Sequence, residues 1–509
     1  MLSRLHSVAL AGIEAIRCEV EVDVASRGFS HATIVGLPDT AVKESLERVR
    51  SSLHNSGYSS PKYRTVINLA PADIKKEGPA FDLPIALGMI FASGEGTPDR
   101  AAEYLIAGEL ALDGRVRPIK GAISMAMLAR DRGFIGLILP VDNAPEAAVV
   151  NDIEVIGIGT LAEALGFLND RLPLDPTVID IDQVFQEASR YDMDFGEVRG
   201  QEAVKRALAV AATGGHNLLL IGPPGAGKTM LSKRLPTILP PLTLAESLET
   251  TRVYSAAGKL SPGRPLLARR PVRAPHHSAS GPALVGGGTI PQAGEVSLAH
   301  HGLLFLDEFP EFPRSILETL RQPLEDGVVT IARSHSCIEF PARFMMVAAM
   351  NPCPCGYFTD PNKPCKCTPR QIDRYLSRIS GPLIDRIDIH IEVPPVPFRE
   401  LRSNRDGSDS ACLRRQVIKA RHIQQQRFGE NSTILNGRMN SKLMRKHCTL
   451  DKAGEQLLKQ ALTEFGLSAR AHDKILRIAR TIADLANSEN IRPEHISEAI
   501  MYRRLDRQL

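Results

Sequence analysis

The sequence predicts an α/β multidomain protein with a helical C-terminal region, and three observations predict it. The chain has 509 residues, which at ~150 residues per domain holds about three domains. Strand-like and helical runs alternate twice, once before a Pro-bearing stretch at Arg171–Pro176 and once after it. Alternation of this kind argues for sheets flanked by helices, parallel in the second case. From Ala411 onward the apolar spacing is helical, as in Ile475, Ile478, Ala479 and Ile482.

The expected elements follow in chain order. Residues 1–170 form the first domain, with strands at Ile16–Val24, Ala32–Val35, Arg64–Leu69, Tyr104–Leu110, Leu137–Leu139 and Ile153–Ile158. Helices are expected between them, at Asp39–His54 and Leu83–Ala92. Residues 171–193 read as a linker because prolines interrupt any regular pattern. Residues 194–396 form the second domain, in the order helix, apolar strand, glycine loop, helix and later strands. Residues 397–509 form the helical region, entered through polar Arg402–Ser410, an expected mobile loop.

Composition excludes several classes. Hydrophobic residues make up 43% and charged residues 24%, ordinary for a soluble globular chain. No uninterrupted apolar run reaches the ~18 residues of a membrane-spanning helix, so no membrane partner is expected. The start, Met1 to Glu14, is too short and too soon charged for a signal peptide. Eight cysteines make no disulfide framework, so a cytoplasmic location is expected. A net charge of +4 creates no global field for nucleic acid, and with no Trp and 5% aromatic residues, stacking platforms are scarce. DNA binding, if present, must come from cations gathered locally.

Three strand ends carry chemistry. The apolar run Leu218–Ile221 leads into Gly222, Pro223, Pro224, Gly225, Ala226, Gly227, Lys228 and Thr229. Glycines here let backbone N–H groups close around phosphate oxygens, Lys228 reaches the β- and γ-phosphates, and the Thr229 hydroxyl ligates Mg²⁺. The following helix, from about Met230, adds its N-terminal dipole. ATP and Mg²⁺ are therefore the expected cofactors. A second apolar strand, Gly302–Leu306, ends in Asp307 and Glu308. A buried strand rarely ends in two adjacent carboxylates unless a cation or a water is managed there. Asp307 is expected to hold Mg²⁺ and Glu308 to orient the attacking water. A third strand, from Phe344, ends in Asn351, whose amide would meet the γ-phosphate or that water.

Cys353, Cys355, Cys365 and Cys367 form a C-x-C…C-x-C pattern. Two thiolate pairs joined by a Pro- and Gly-bearing loop suit structural Zn²⁺, with free loop thiols as the alternative. Cys18, Cys337, Cys412 and Cys448 are scattered and read as packing residues. The pairs His276–His277 and His300–His301 are expected to point apart on regular elements, which argues against a metal there.

These segments carry a resemblance. Gly222–Thr229, Leu304–Phe309 and Ala348–Pro352 look like an AAA+ ATPase of the magnesium-chelatase and MCM-related branch. Ala274–Gly281, Gly294–His300, Asn351–Tyr357 and Leu376–Asp388 narrow it, because they resemble the YifB/ComM family over essentially the whole chain. The resemblance implies an AAA+ P-loop core and a helical lid of the magnesium-chelatase C-terminal type. It makes Arg386 the arginine finger, acting on the γ-phosphate of a neighbouring subunit, with Arg378 a second candidate. It makes Arg470 the sensor-2 arginine and places Val198–Gln201 near adenine. A finger acting in trans implies a homo-oligomeric ring, in this branch typically a hexamer.

The same resemblance gives meaning to two insertions. About eighty residues separate the phosphate loop from Asp307, more than a crossover needs. They include the Gly-rich turn Leu284–Ile290, which in related enzymes is a hairpin facing the central pore. A second expected hairpin, Val328–Phe340, would present Arg333 and His335 at its tip.

Glu77–Pro84 and Gly108–Gly121 look like the Lon-protease fold, itself similar to ribosomal protein S5 domain 2. The places of its nucleophilic serine and partner lysine are held by Ala80 and Ile123, with Lys120 out of register. A Ser–Lys dyad needs a hydroxyl and an adjacent amine, so no peptidase activity is expected. The leading expectation is an ATP-driven motor on DNA, because ComM-like proteins are associated with branch migration in natural transformation. A magnesium-chelatase-like ATPase and a protein remodeller are the alternatives.

Overall fold

The structure is a computed structural model. It describes the whole chain except residues 28, 30, 97–99, 189–190, 262, 289–290, 334–335, 359, 361–362, 398–406, 430–431, 467 and 504–509. The chain divides into two compact units. One comprises Met1–Ala188, Thr243–Ala268 and Ala332–Phe340, and the other Ser189–Leu242, Arg269–Ile331 and Pro341–Leu509.

The first unit is built on a seven-stranded mixed sheet. Its order is Ala32–Val35, Thr65–Ala70, Glu14–Val24, Leu2–Ala11, Tyr104–Ile106, Gly136–Pro140 and Glu154–Ile158. The long strand Leu2–Ala11 pairs antiparallel with Glu14–Val24 and is an addition to the sequence reading. Its inward positions include Ser3 and Ser7 beside Leu5, so hydroxyls mask the alternation that marks a strand. The helix expected at Asp39–His54 spans Thr40–Asn55, and Asp39 caps it by accepting the Val42 N–H at 2.8 Å. The expected strand Tyr104–Leu110 stops at Ile106, and Glu109–Leu110 pairs instead with Val116–Arg117. Gly108 makes the break: a Cβ there would lie 2.8 Å from Val116. Within the expected linker, Ile181–Ala188 is helical, because Ile181, Val184 and Phe185 share a face against apolar neighbours.

The inserted helix Leu244–Ala256 belongs to this first unit. Its Arg252 pairs with Glu14 at 2.8 Å. Nothing in the local pattern of residues 243–268 marks that long-range attachment.

The second unit is built on a five-stranded sheet in the order Val272–Arg273, Leu303–Leu306, Met345–Met350, Leu218–Ile221 and Ile389–Glu392. Every pairing in it is parallel, as the alternating pattern requires. Residues Leu218–Leu220, Leu303–Leu306 and Met346–Met350 are buried, so both sheet faces are covered. Helices Ser410–Phe428, Ser441–His447, Lys452–Phe465, Ala469–Leu485 and Pro493–Met501 complete the unit. Ile475, Ile478, Ala479 and Ile482 are buried in the core shared with the sheet.

Of the expected hairpins, Gly286–Gly287 pairs antiparallel with Gln292–Ala293. Val328–Arg333 and Ser336–Pro341 form a second two-stranded sheet. Ile290, His335, the side chain of Arg333 and most of the Arg402–Ser410 loop lie outside the described residues.

Candidate active site

Parallel topology puts the ends of neighbouring strands at one sheet edge, and the chemistry-bearing residues sit there. Met350 is opposite Ile221 and Ala348 opposite Leu306, so Gly222, Asp307 and Asn351 leave the sheet side by side. The loop Gly222–Gly227 needs its glycines: Gly225 and Gly227 have φ of +78° and +87°. Nothing lies within 4 Å of where a Gly225 Cβ would be, so that stretch of backbone faces open space.

Helix Lys228–Arg234 begins directly after the loop, two residues before the expected start. Lys228 is buried, and its ammonium donates to Gly222 O at 2.7 Å, Pro223 O at 2.9 Å and Asn351 Oδ1 at 3.1 Å. Burial lowers its pKa, and the nearby Asp307 carboxylate opposes that shift. Thr229 Oγ1 donates to Asp307 Oδ2 at 2.7 Å. The structure thus brings Lys228, Thr229, Asp307 and Asn351 into one hydrogen-bonded group.

Glu308 stands beside them in a left-handed conformation, φ +51°. That conformation is costly for a residue with a Cβ and is found at sites where the surroundings enforce it. Its carboxylate lies 3.0 Å from His277 Nδ1. The histidine geometry corrects the expectation that these pairs diverge. The His276 and His277 rings lie 4.0 Å apart, as do those of His300 and His301. Neither pair occupies a regular strand or helix, and His301 has φ +53°, so strand or helix side-chain directions do not apply.

Gln201 also reaches the site. It precedes helix Glu202–Gly214 with φ +56°, and its amide donates to Ala226 O and Pro394 O, both at 2.9 Å. The glycine loop is thereby tied to the chain beyond the Ile389–Glu392 strand.

The arginines form a different group. Arg386 pairs with Glu325 and donates to Pro382 O at 2.6 Å. Arg470, on helix Ala469–Leu485, is exposed and lies 3.8 Å from Asp385. Arg386 and Arg470 line one cavity of about 330 Å³ together with Arg438, Lys474 and Arg477. None of Gly222–Met230, Asp307, Glu308 or Asn351 is among its lining residues. Arg378 points elsewhere, pairing with Glu311 at 2.7 Å.

The cysteines of the C-x-C pairs come together. Cys353 Sγ lies 3.3 Å from Cys355 Sγ and 3.7 Å from Cys365 Sγ, and Cys355 Sγ lies 3.6 Å from Cys365 Sγ. Cys367 completes a group whose sulfur atoms all lie within 4.8 Å of one another.

In the first unit, Ala80 sits in a short 3₁₀ turn, Ile123 is buried in helix Ala122–Asp131, and Lys120 is exposed. Asp82 is fully buried against Arg48 Nε at 2.7 Å.

Family models match three contiguous stretches of the chain, the middle one running through the Thr243–Ala268 and Ala332–Phe340 segments of the first unit. The family described as magnesium chelatase, subunit ChlI, matches residues 194–401, and its C-terminal counterpart matches residues 407–503. A family described as subunit ChlI of Mg-chelatase matches residues 20–143. The chain is 44% identical over 512 residues to the competence protein ComM of Haemophilus influenzae, covering 100% of this chain and 98% of that protein. It is 43% identical over 510 residues to the uncharacterised protein YifB of Escherichia coli, again 100% and 98%. Lon protease 2 of Bacillus subtilis is 30% identical over 124 residues, 24% of this chain and 22% of that protein.

Proposed function

This chain belongs to the YifB/ComM family of magnesium-chelatase-like proteins, and from that premise we propose that it is an ATP-hydrolysing AAA+ ring motor acting on branched DNA. The observation that carries the ATPase reading is the convergence of Lys228, Thr229, Asp307 and Asn351 at one sheet edge. These residues fit a magnesium nucleotide. The hydrogen bonds of the Lys228 ammonium among the described residues go to two carbonyls and an amide, so its charge is left for phosphate oxygens.

When bound, ATP supplies the phosphoanhydride and Mg²⁺ supplies the positive charge that its cleavage needs. The chain's residues then divide the work. Gly222–Met230 cradle phosphates with backbone N–H groups, and Lys228 adds a point charge. Thr229 and Asp307 hold the metal ion. Glu308 orients the water that attacks, and Asn351 positions it against the phosphate. Arg386 acts in trans, which agrees with its place in a cavity lined by none of its own phosphate-loop residues. Arg470 shares that cavity and serves the same neighbouring nucleotide.

The proposed assembly is a cytoplasmic hexameric ring with three parts per chain. Residues 194–396 are the motor and 397–509 its lid. Residues 1–170 are a Lon-like platform for assembly or DNA contact, without peptidase activity because Ala80 and Ile123 replace the dyad. DNA contact falls to the hairpins, whose few cations are multiplied by ring symmetry. That one relative is a competence protein favours a DNA substrate over a chelatase one, and recombination intermediates are the substrate proposed.

The test measures ATP turnover with and without a four-way DNA junction, alongside strand displacement from a labelled junction. DNA stimulation and displacement, both abolished by Lys228→Ala, are the expected results. Turnover stimulated only by a chelatase partner protein, with no displacement, replaces this reading with the magnesium-chelatase-like one.

A further inference from the structure

The four-cysteine group lies next to the residue that completes the phosphate site. Strand Met345–Met350 ends at Asn351, and only Pro352 separates that amide from Cys353. Cys353 is fully buried. Its carbonyl accepts the Gly356 N–H at 2.9 Å, closing a tight turn over Cys353–Gly356. That turn packs on the phosphate loop: a Cβ at Gly356 would lie 2.5 Å from Pro224 Cδ and 3.8 Å from the Asn351 side chain. Gly356 also has φ +84°, so both conformation and contact call for glycine.

Sulfur spacing identifies what the group is for. Separations of 3.3, 3.6 and 3.7 Å are far longer than a disulfide bond of ~2.0 Å. Four thiolates around one tetrahedral Zn²⁺ at ~2.3 Å stand ~3.8 Å apart, close to the spacing seen. Four soft ligands also close the coordination shell, which makes the site structural rather than catalytic.

We propose that Cys353, Cys355, Cys365 and Cys367 bind one Zn²⁺ ion, and that this ion sets the position of Asn351 against Lys228 and the phosphate loop. The ion cross-links residues 353–355 to residues 365–367 and so fixes the turn that packs on Pro224. Without it, the turn loses that cross-link and is left with the Cys353–Gly356 hydrogen bond, backbone N–H groups on the cysteine sulfurs and the Gly356 contact. The 3.1 Å bond from Lys228 to Asn351 then loses one of its supports, the strand before Asn351 and the Tyr375 hydroxyl remaining. Two consequences are independent: one equivalent of zinc per chain, and nucleotide turnover that follows zinc occupancy. The second rests on the ATPase reading, and the first does not.

The experiment uses the full chain purified without chelator. Elemental analysis is expected to give about one zinc per chain. Cobalt(II) added to metal-stripped protein is expected to give the intense visible bands of a tetrahedral tetrathiolate site. Cys365→Ser should lose both, and Cys412→Ser neither. ATP turnover should fall in parallel with zinc released by a mercurial reagent and return when thiol and Zn²⁺ are restored. Protein with neither zinc nor the cobalt bands overturns the site, even if it hydrolyses ATP. Zinc-loaded and zinc-stripped protein with equal turnover overturns the positioning role while leaving the ATPase intact. The cobalt titration is done on the unmutated chain, so a variant that fails to fold does not blunt the test.

Discussion

The two large sheets of this molecule use the same ingredients to opposite ends. Each has a Gly-Pro turn near a buried charge: Gly78-Pro79 before Asp82 in one, Gly222-Pro223 before Lys228 in the other. In the first sheet the charge is consumed internally. Asp82 accepts from Arg48 Nε at 2.7 Å and from the Leu110 N–H at 3.2 Å, and the Ser45 hydroxyl also donates to it. In the second, the hydrogen bonds of Lys228 among the described residues go to neutral acceptors, with the Asp307 carboxylate nearby, and the glycine loop before it faces open space at Gly225. A buried charge whose partners are all its own is a structural strut. One whose partners a ligand can replace is a site.

The strongest way to break this comparison is at the arginine cavity. Arg386→Ala should lower ATP turnover ~10³-fold or more, the usual worth of an arginine finger. Arg378→Ala, which loses only the exposed pair with Glu311, should change turnover far less. Mixing Arg386→Ala protein with Lys228→Ala protein should restore turnover at about a quarter of the sites in a random ring, because each supplies what the other lacks across an interface. Two inactive proteins that stay inactive when mixed, while each still assembles, would place the finger in cis or remove it.

Next in size is Glu308. Glu308→Gln should reduce turnover ~10²- to 10⁴-fold while ATP binding, read by a fluorescent nucleotide, is retained. His277→Ala removes only the neighbour 3.0 Å from that carboxylate and should cost ~10-fold, as supporting contacts do. Equal binding loss in Glu308→Gln and Lys228→Ala would instead make Glu308 part of the phosphate cradle.

These predictions also show where the sequence was legible. The convergence of the glycine loop, Asp307 and Asn351 could be read because each closes a short apolar strand, and parallel topology alone then brings strand ends together. The helical spacing of Ile475–Ile482 was readable for the same local reason. What escaped depends on distance along the chain. His277 meets Glu308 across 31 residues, Gly356 meets Pro224 across more than a hundred, and Leu244–Ala256 packs in a unit whose first strand begins at Leu2. Strand Leu2–Ala11 escaped for a chemical reason, since Ser3 and Ser7 fill inward positions without looking apolar. The glycine at 356, between Cys355 and an aromatic, was a visible signal of close approach near the site, as was Gly222, where a Cβ would collide with Val393 O.

The smallest effects concern stability, and they separate the sheets by acid response. Burial raises the pKa of Asp82, and Arg48 and Ser45 only partly offset it. Burial alone would raise Asp388 too, but Lys474 at 3.2 Å, the His216 ring and the Asn217 N–H at 3.0 Å hold it well below the usual carboxylate range. A carboxyl of ~3.9 when unfolded therefore gives opposite signs. Asp82 contributes stability that is fully present below about pH 4 and is lost as pH rises through its raised folded value. Asp388 contributes stability present above about pH 4 and lost as pH falls further toward its depressed folded value. Hydrogen exchange of the two sheets should accordingly diverge on acidification, with Leu218–Ile221 losing protection before Glu14–Val24. Asp388→Asn strands Lys474 without its counter-charge and should cost ~3 kcal/mol at neutral pH. It should also flatten the acid response of its own sheet. Asp82→Asn should cost less at neutral pH, because Arg48 is partly exposed and can regain water. If both sheets lose protection together and neither variant changes the profile, these carboxyls do not set the acid response, and the contrast between strut and site reduces to the nucleotide chemistry alone.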